Sequence, residues 1–253
     1  GLAIAIQFLM IGFGSPIFGA VADKYGSDKA ALYGVILFLI GLYLFSLVTN
    51  SFLLILSQAI FGLGCAGCGT AVILGAVGKA VSEKHRTLSL GVVMAAGSLG
   101  QFLIVPLSGA LIEATDWQRS IVYLCFISLV MIIFVFALSL RSKNQENEHI
   151  QERPLKQVLG VAFLNKNYVL LSIGFFVCGF HVSFVATHLP AYLEDLSLPI
   201  WIGSWSLALI GLFNVFGTLL FGYLGDSQSK KNLLVILYSC LLYTSPSPRD
   251  SDS

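Results

Sequence analysis

The chain has 253 residues, 57% of them hydrophobic and 11% charged, with a formal net charge of +1. A mean hydropathy of +0.87 excludes an ordinary soluble domain, in which charged residues make up about a quarter of the chain. The bilayer is the solvent such a sequence fits, and no nucleic-acid partner is expected.

Crossing ~30 Å of hydrocarbon takes ~20 apolar residues. Stretches of about that length run over 1–21, 31–48, 53–77, 88–112, 118–140, 168–191 and 200–224, and a shorter stub begins at 232. The first has neither the charged leader nor the small-residue cleavage site of a signal peptide. With no initiator Met, it reads as the start of a fragment. Gly12, Gly14 and Gly19 permit close helix contact there, and Pro16 is expected to kink it. Gln7 and Ser15 are read as packing groups.

A short charged hinge follows, Gly19-Ala20-Val21-Ala22-Asp23-Lys24-Tyr25-Gly26-Ser27-Asp28-Lys29. It recurs as Gly222-Tyr223-Leu224-Gly225-Asp226-Ser227-Gln228-Ser229-Lys230-Lys231. In each copy an Asp stands four residues after a Gly, about one helical turn beyond a point where two backbones can approach. Such a carboxylate can accept hydrogen bonds from the N-terminus of a neighbouring helix, while the Lys residues hold the loop at a membrane surface. The pattern G-x-x-x-D-[RK]-x-G-x-x-[RK] resembles the loop signature of the major facilitator superfamily. The first copy matches at Gly19, Asp23, Lys24, Gly26 and Lys29. The second matches at Gly222, Asp226, Lys230 and Lys231, with Gln228-Ser229 where a Gly would stand. The resemblance implies an all-α polytopic bundle, here about eight of twelve helices (family helices 2 to 9). It implies two halves that rock about a central substrate site, with Asp23 and Asp226 as latches.

The span from Leu32 to Val48 reads as lipid-facing. In the next, Gln58-x-x-x-Gly62-x-Gly64 stands where some antiporters of the family carry Arg-x-x-x-Gly-x-Gly. Gln cannot hold the charge that steadies a nearby carboxylate, which argues against proton-coupled drug export. Cys65 and Cys68 have C-x-x-C spacing, but among Gly62, Gly64, Gly67 and Gly69 they read as a small-residue packing face rather than a redox or metal pair. The basic loop 78–91, the Gly-rich helix containing Gln101, Pro106-Leu107 and the turn Asp116-Trp117-Gln118-Arg119 follow in an order that resembles the monocarboxylate and oxalate/formate porter branch. Asp116 stands in that branch's Gly position and Gln118 is inserted.

Lys24, Lys29, Lys79, Lys84, Arg86, Arg141, Lys143, Arg153, Lys156, Lys166, Lys230 and Lys231 fall in alternate loops, with Arg119 as the exception. The positive-inside rule makes those loops cytoplasmic, and the expected location is the cell (inner or plasma) membrane. Residues 1–140 are read as the N-terminal half, 141–166 as a polar central linker with His149 solvated, and 167–239 as the start of the C-terminal half. Arg153 to Gly160 is expected to form a short amphipathic surface helix.

In the sixth long span, His181 and His188 are seven residues apart and share nearly one face, with Phe184 and Thr187 beside it. A buried imidazole in a bilayer needs a partner or water, so both are pathway candidates. The alternatives are a helix-packing hydrogen bond for His181 and an interfacial position for His188. Gln101 and Asn214 complete the candidate pathway, although Asn214 serves equally as helix glue. No metal site or cofactor is expected, because i, i+7 is not the spacing of a two-His zinc helix and no phosphate-binding loop is present. The stretch Cys240 to Asp250 resembles a translated sequencing-library adapter, and residues 240–253 are expected to be non-native.

The branch resemblance implies a monomeric transporter for a small organic anion such as a monocarboxylate, with a proton as a candidate coupling ion and no enzymatic activity. A hydrophobic-compound exporter of the same fold is the alternative. From another class, a non-transporting sensor or scaffold would favour a long extra domain.

Overall fold

The computed structural model describes residues 1–142 and 155–244. Much of the expected linker, including His149, and residues 245–253 of the expected non-native tail lie outside them. Among the described residues every regular element is helical: α1 (Leu2–Tyr25), α2 (Ser27–Ser46), α3 (Ser51–Cys68), α4 (Thr70–Ala80), α5 (Arg86–Ala114), α6 (Trp117–Ser128), α7 (Val130–Ser142), α8 (Leu155–Leu164), α9 (Lys166–Asp195), α10 (Ile200–Ser227) and α11 (Lys230–Thr244). A single 3-10 turn, Glu83–His85, precedes α5. Seven helical segments, α3 with α4 and α6 with α7 counted together, are long and apolar enough to cross a membrane.

Large apolar side chains point outward on every span. Phe13, Phe134 and Phe213 are about 70% exposed, an arrangement suited to apolar surroundings and not to water. Tyr25, Tyr168 and Tyr223 lie near the end of the bundle that carries the lysines, and Trp117, Tyr192 and Trp201 lie near the other. On α9 the two levels are 24 residues apart, about 36 Å of helix. That matches a hydrocarbon core with its interfaces, where amphipathic rings settle.

With lipid outside there is no hydrophobic drive between helices, so close backbone approach has to hold them together. α3 sits between α1 and α2 through small residues. Gly14 of α1 faces Ala66 and Leu63, while Gly34 of α2 lies on the backbone of Gly67 and Cys68. A methyl group at Gly64 would stand 2.5 Å from the Phe38 Cα. Phe38 and Phe61 fill the adjoining space with ring centroids 4.7 Å apart. Ala30, Val35, Ser57 and Ala66 are buried here. The Gly62, Gly64 and Gly67 stripe is therefore a packing face; the Cys68 thiol donates to the Gly64 carbonyl at 3.2 Å.

One expected single span is divided. Gly69 is extended (φ −81°, ψ −176°) between α3 and α4, whereas Leu129 between α6 and α7 keeps helical angles (φ −59°, ψ −25°) and its N–H donates to the Cys125 carbonyl, so that path continues through one membrane-length segment. Pro16 lies within an unbroken α1, where it leaves the Gly12 carbonyl without its helical donor. At the opposite end from the lysines, Arg119 is matched by Asp116, with Nε to Oδ2 at 3.3 Å. Asp116 also caps α6 by accepting from the Arg119 N–H at 2.8 Å.

Candidate functional site: the seam between α5 and α10

α5 and α10 share the most extensive helix contact among the described residues. The sequence builds the seam from small side chains on both helices, Thr87, Gly91, Ala95 and Ser98 on α5 and Ser204, Ala208, Gly211, Thr218, Gly222 and Gly225 on α10. Ala95 is 6% exposed and Ala208 fully buried. Where the two backbones approach most closely, a methyl on Gly91 would stand 2.7 Å from the Thr218 carbonyl oxygen and 3.1 Å from the Gly222 Cα. Towards the middle, the Gln101 amide Nε2 donates to the Leu207 carbonyl at 3.3 Å, and Phe102 meets Trp205 edge-on with centroids 6.3 Å apart.

The basic end of the seam carries its polar contacts. α5 starts at Arg86 without a side-chain cap of its own, so its first-turn N–H groups lack intrahelical acceptors. Asp226 supplies them from across the seam. Its Oδ1 accepts from the Thr87 N–H at 2.9 Å and its Oδ2 from the Leu88 N–H at 3.0 Å. Gly222 and Gly225 explain the reach, since they let α10 lie directly on Leu88, Gly91 and Thr87. A carboxylate at a helix N-terminus also faces the positive end of the helix dipole.

The first copy of the motif is built differently. A methyl added at Gly19 would meet no other described helix within 4 Å, and Asp23 pairs with Lys79 at the end of α4, Nζ to Oδ1 2.5 Å, with both side chains at least half exposed. Lys24 lies 5.4 Å from the centroid of the Tyr25 ring. Gly26 joins α1 to α2 at φ 99°, ψ 146°, a left-handed backbone that favours glycine. The second copy links α10 to α11 through extended Gln228 (φ −120°, ψ 168°), so it needs no Gly there. Lys29, Lys230 and Lys231 are exposed.

The candidate pathway residues divide into groups. Phe180 and Phe184 stack with centroids 6.3 Å apart, and Phe184 meets the His188 ring at 4.7 Å, which makes an aromatic ladder along α9. His181 is half-buried one turn from Phe184, and His188 is exposed. Gln101 is engaged in the seam, whereas Asn214 lies exposed on α10. The ladder, Gln101 and Asn214 are not joined by any side-chain hydrogen bond or ring contact among the described residues. At the end opposite the lysines, Val105, Pro190, Glu194, Gly203 and Ser204 border a pocket of about 130 Å³. Among the described residues no three His, Cys, Asp or Glu side chains gather where they could hold a metal.

Reading the sequence singled out Asp226 and Gly222 but missed their partners Thr87, Leu88 and Gly91, and missed Lys79 as the partner of Asp23. A signal was present in the small residues Thr87, Gly91 and Ala95, spaced by four on α5.

Residues 1–246 match the family model described as Major Facilitator Superfamily. The chain is 25% identical over 243 residues to the sialic acid transporter NanX of Escherichia coli, covering 91% of this chain and 56% of that protein. It is 24% identical over 254 residues to human monocarboxylate transporter 12, covering 88% and 49%. It is 22% identical over 233 residues to the fujikurins efflux protein of Gibberella fujikuroi, covering 90% and 48%. The chain thus spans about half the length of the curated relatives it matches. With seven membrane-crossing segments and a match over nearly its whole length, the chain belongs to the Major Facilitator Superfamily of multi-pass membrane transporters.

Proposed function

We infer that the complete protein is a secondary active transporter of a small organic anion, a monocarboxylate being the leading candidate. It works by alternating access in the plasma membrane, with the basic loops in the cytoplasm and a proton as the coupling ion. The observation that carries this reading is the Asp226 clamp on the first turn of α5. A rocking mechanism needs a contact that holds two bundles closed at one face and releases without unpacking an apolar core. A carboxylate at the rim, bonded to two backbone amides and wetted from outside, meets that need. The glycine crossing one turn deeper supplies the pivot, with residues 1–140 and 167–239 as the moving bodies. Asp23 and Lys79, both within residues 1–140, brace the same face of that body rather than joining it to the other, and His181, Phe184 and His188 line the path with Gln101 and Asn214 at its edge.

The anion assignment draws on two relatives whose names specify sialic acid and monocarboxylates. The Phe180, Phe184 and His188 ladder, together with the efflux relative, favours a second reading as an exporter of hydrophobic compounds. Counterflow in vesicles that contain the complete protein separates the two. Exchange of lactate-like anions supports the first reading, exchange of lipophilic compounds alone supports the second, and exchange of neither overturns both.

A further inference from the structure

His85 is the N-cap residue of α5, and its side chain makes no cap bond. A cap side chain ordinarily accepts from the second or third helical N–H, and here those groups belong to Thr87 and Leu88. Asp226 holds both, at 2.9 and 3.0 Å. The carboxylate of α10 thus stands where the His85 side chain would cap, and the exposed imidazole lies within electrostatic reach of it. Around them, Glu83 and Lys84 share the 3-10 turn with His85, and Arg86 starts α5. α10 brings Asp226 as its single charged side chain, and the Tyr223 phenol. α4 brings Lys79, which Asp23 engages, and Lys230 and Lys231 open α11.

We propose, on the reading of Asp226 as a clamp, that His85 is a pH switch on it, holding the clamp closed when protonated and easing its release when neutral. A neutral imidazole has an acceptor nitrogen. When Asp226 withdraws, it can take over one of the freed amides at the cap position, so opening costs less. An imidazolium has no acceptor. It attracts the carboxylate while the clamp is closed, and it is left facing the positive end of the helix once the clamp opens. Both effects have the same sign. Glu83, on the same turn as His85, attracts the imidazolium in either state and does not reverse it. Histidine ordinarily changes charge between pH 5 and 8, so acid at the lysine-bearing face tightens the seam and slows the rocking that transport needs.

The test is amide hydrogen exchange at Thr87 and Leu88 in the complete protein in nanodiscs, at about pH 5.5 and about pH 8, with each rate divided by the intrinsic rate at that pH. An exposed ion pair and a helix end each contribute modestly, so protection should be about threefold to fivefold higher in acid. His85→Gln keeps a neutral acceptor and loses the titrating charge, and should give equal protection at the two pH values. Asp226→Asn should lower protection at both, with no gain in acid. If Asp226→Asn leaves protection unchanged, the clamp fails and the switch with it. If Asp226→Asn loosens the turn while His85→Gln retains the acid gain, the clamp stands and the switch is refuted. Equal protection of the unsubstituted protein at the two pH values refutes the switch as well.

Discussion

Replacing Gly91 with Ala tests the seam most directly, because two opposing effects act there and their sizes differ. Alanine inside a helix gains about 0.8–1 kcal/mol over glycine. At Gly91 the added methyl would stand 2.7 Å from the Thr218 carbonyl oxygen, which belongs to rigid backbone. The helices must part by about 0.7 Å to restore ordinary contact, and overpacking of this kind costs about 1–3 kcal/mol. The parting acts one turn from Asp226, whose bonds to Thr87 and Leu88 at 2.9 and 3.0 Å would lengthen towards ~3.6 Å, outside hydrogen-bond range. The expected net result is a loss of about 1 kcal/mol and faster amide exchange at Thr87 and Leu88. On the same helix a methyl added at Gly100 would meet no other described residue within 4 Å, so Gly100→Ala retains the gain alone and should stabilise. Unfolding midpoints in detergent, with hydrogen exchange on the first turn of α5, give both readouts. If the two variants shift the midpoint in the same direction, steric closeness at the crossing is not what holds the seam.

Asp226→Asn keeps the shape and removes the charge, so transport should slow while insertion is unchanged; full activity would refute the clamp. Lys79→Ala breaks an exposed pair and should alter stability by less than about 1 kcal/mol, and a larger loss in chemical unfolding would show that Asp23 depends on it more than its exposure implies. Gly64→Ala places a methyl 2.5 Å from the Phe38 Cα and should destabilise the contact of α2 with α3 by about 1–3 kcal/mol, read as reduced folded yield and a lower midpoint. His181→Ala should weaken the response of uptake to an imposed pH gradient, and an unchanged response would return that imidazole to a packing role.

Spans and hinges were legible because both are local properties. A run of apolar residues long enough for the bilayer is a span whatever surrounds it, and 1–21 and 200–224 became α1 and α10 with their ends moved by a few residues. The break at Gly69 was not legible, because it lies inside an apolar stretch that reads as continuous. The two hinge copies look equivalent in sequence, each with its Gly and its Asp one turn on. Only the packed chain separates them, since Asp226 meets the uncapped start of α5 while no other described helix would touch a methyl at Gly19.

By itself the sequence determined that the chain is a membrane bundle, where it crosses and which ends carry the charge, because lipid admits only long apolar helices and leaves lysines at the rim. Which helices touch was decided in three dimensions. Lipid tails give helices no hydrophobic reason to choose a partner, so the choice falls to how closely two small-residue faces fit and to which orphaned amides a distant carboxylate can reach.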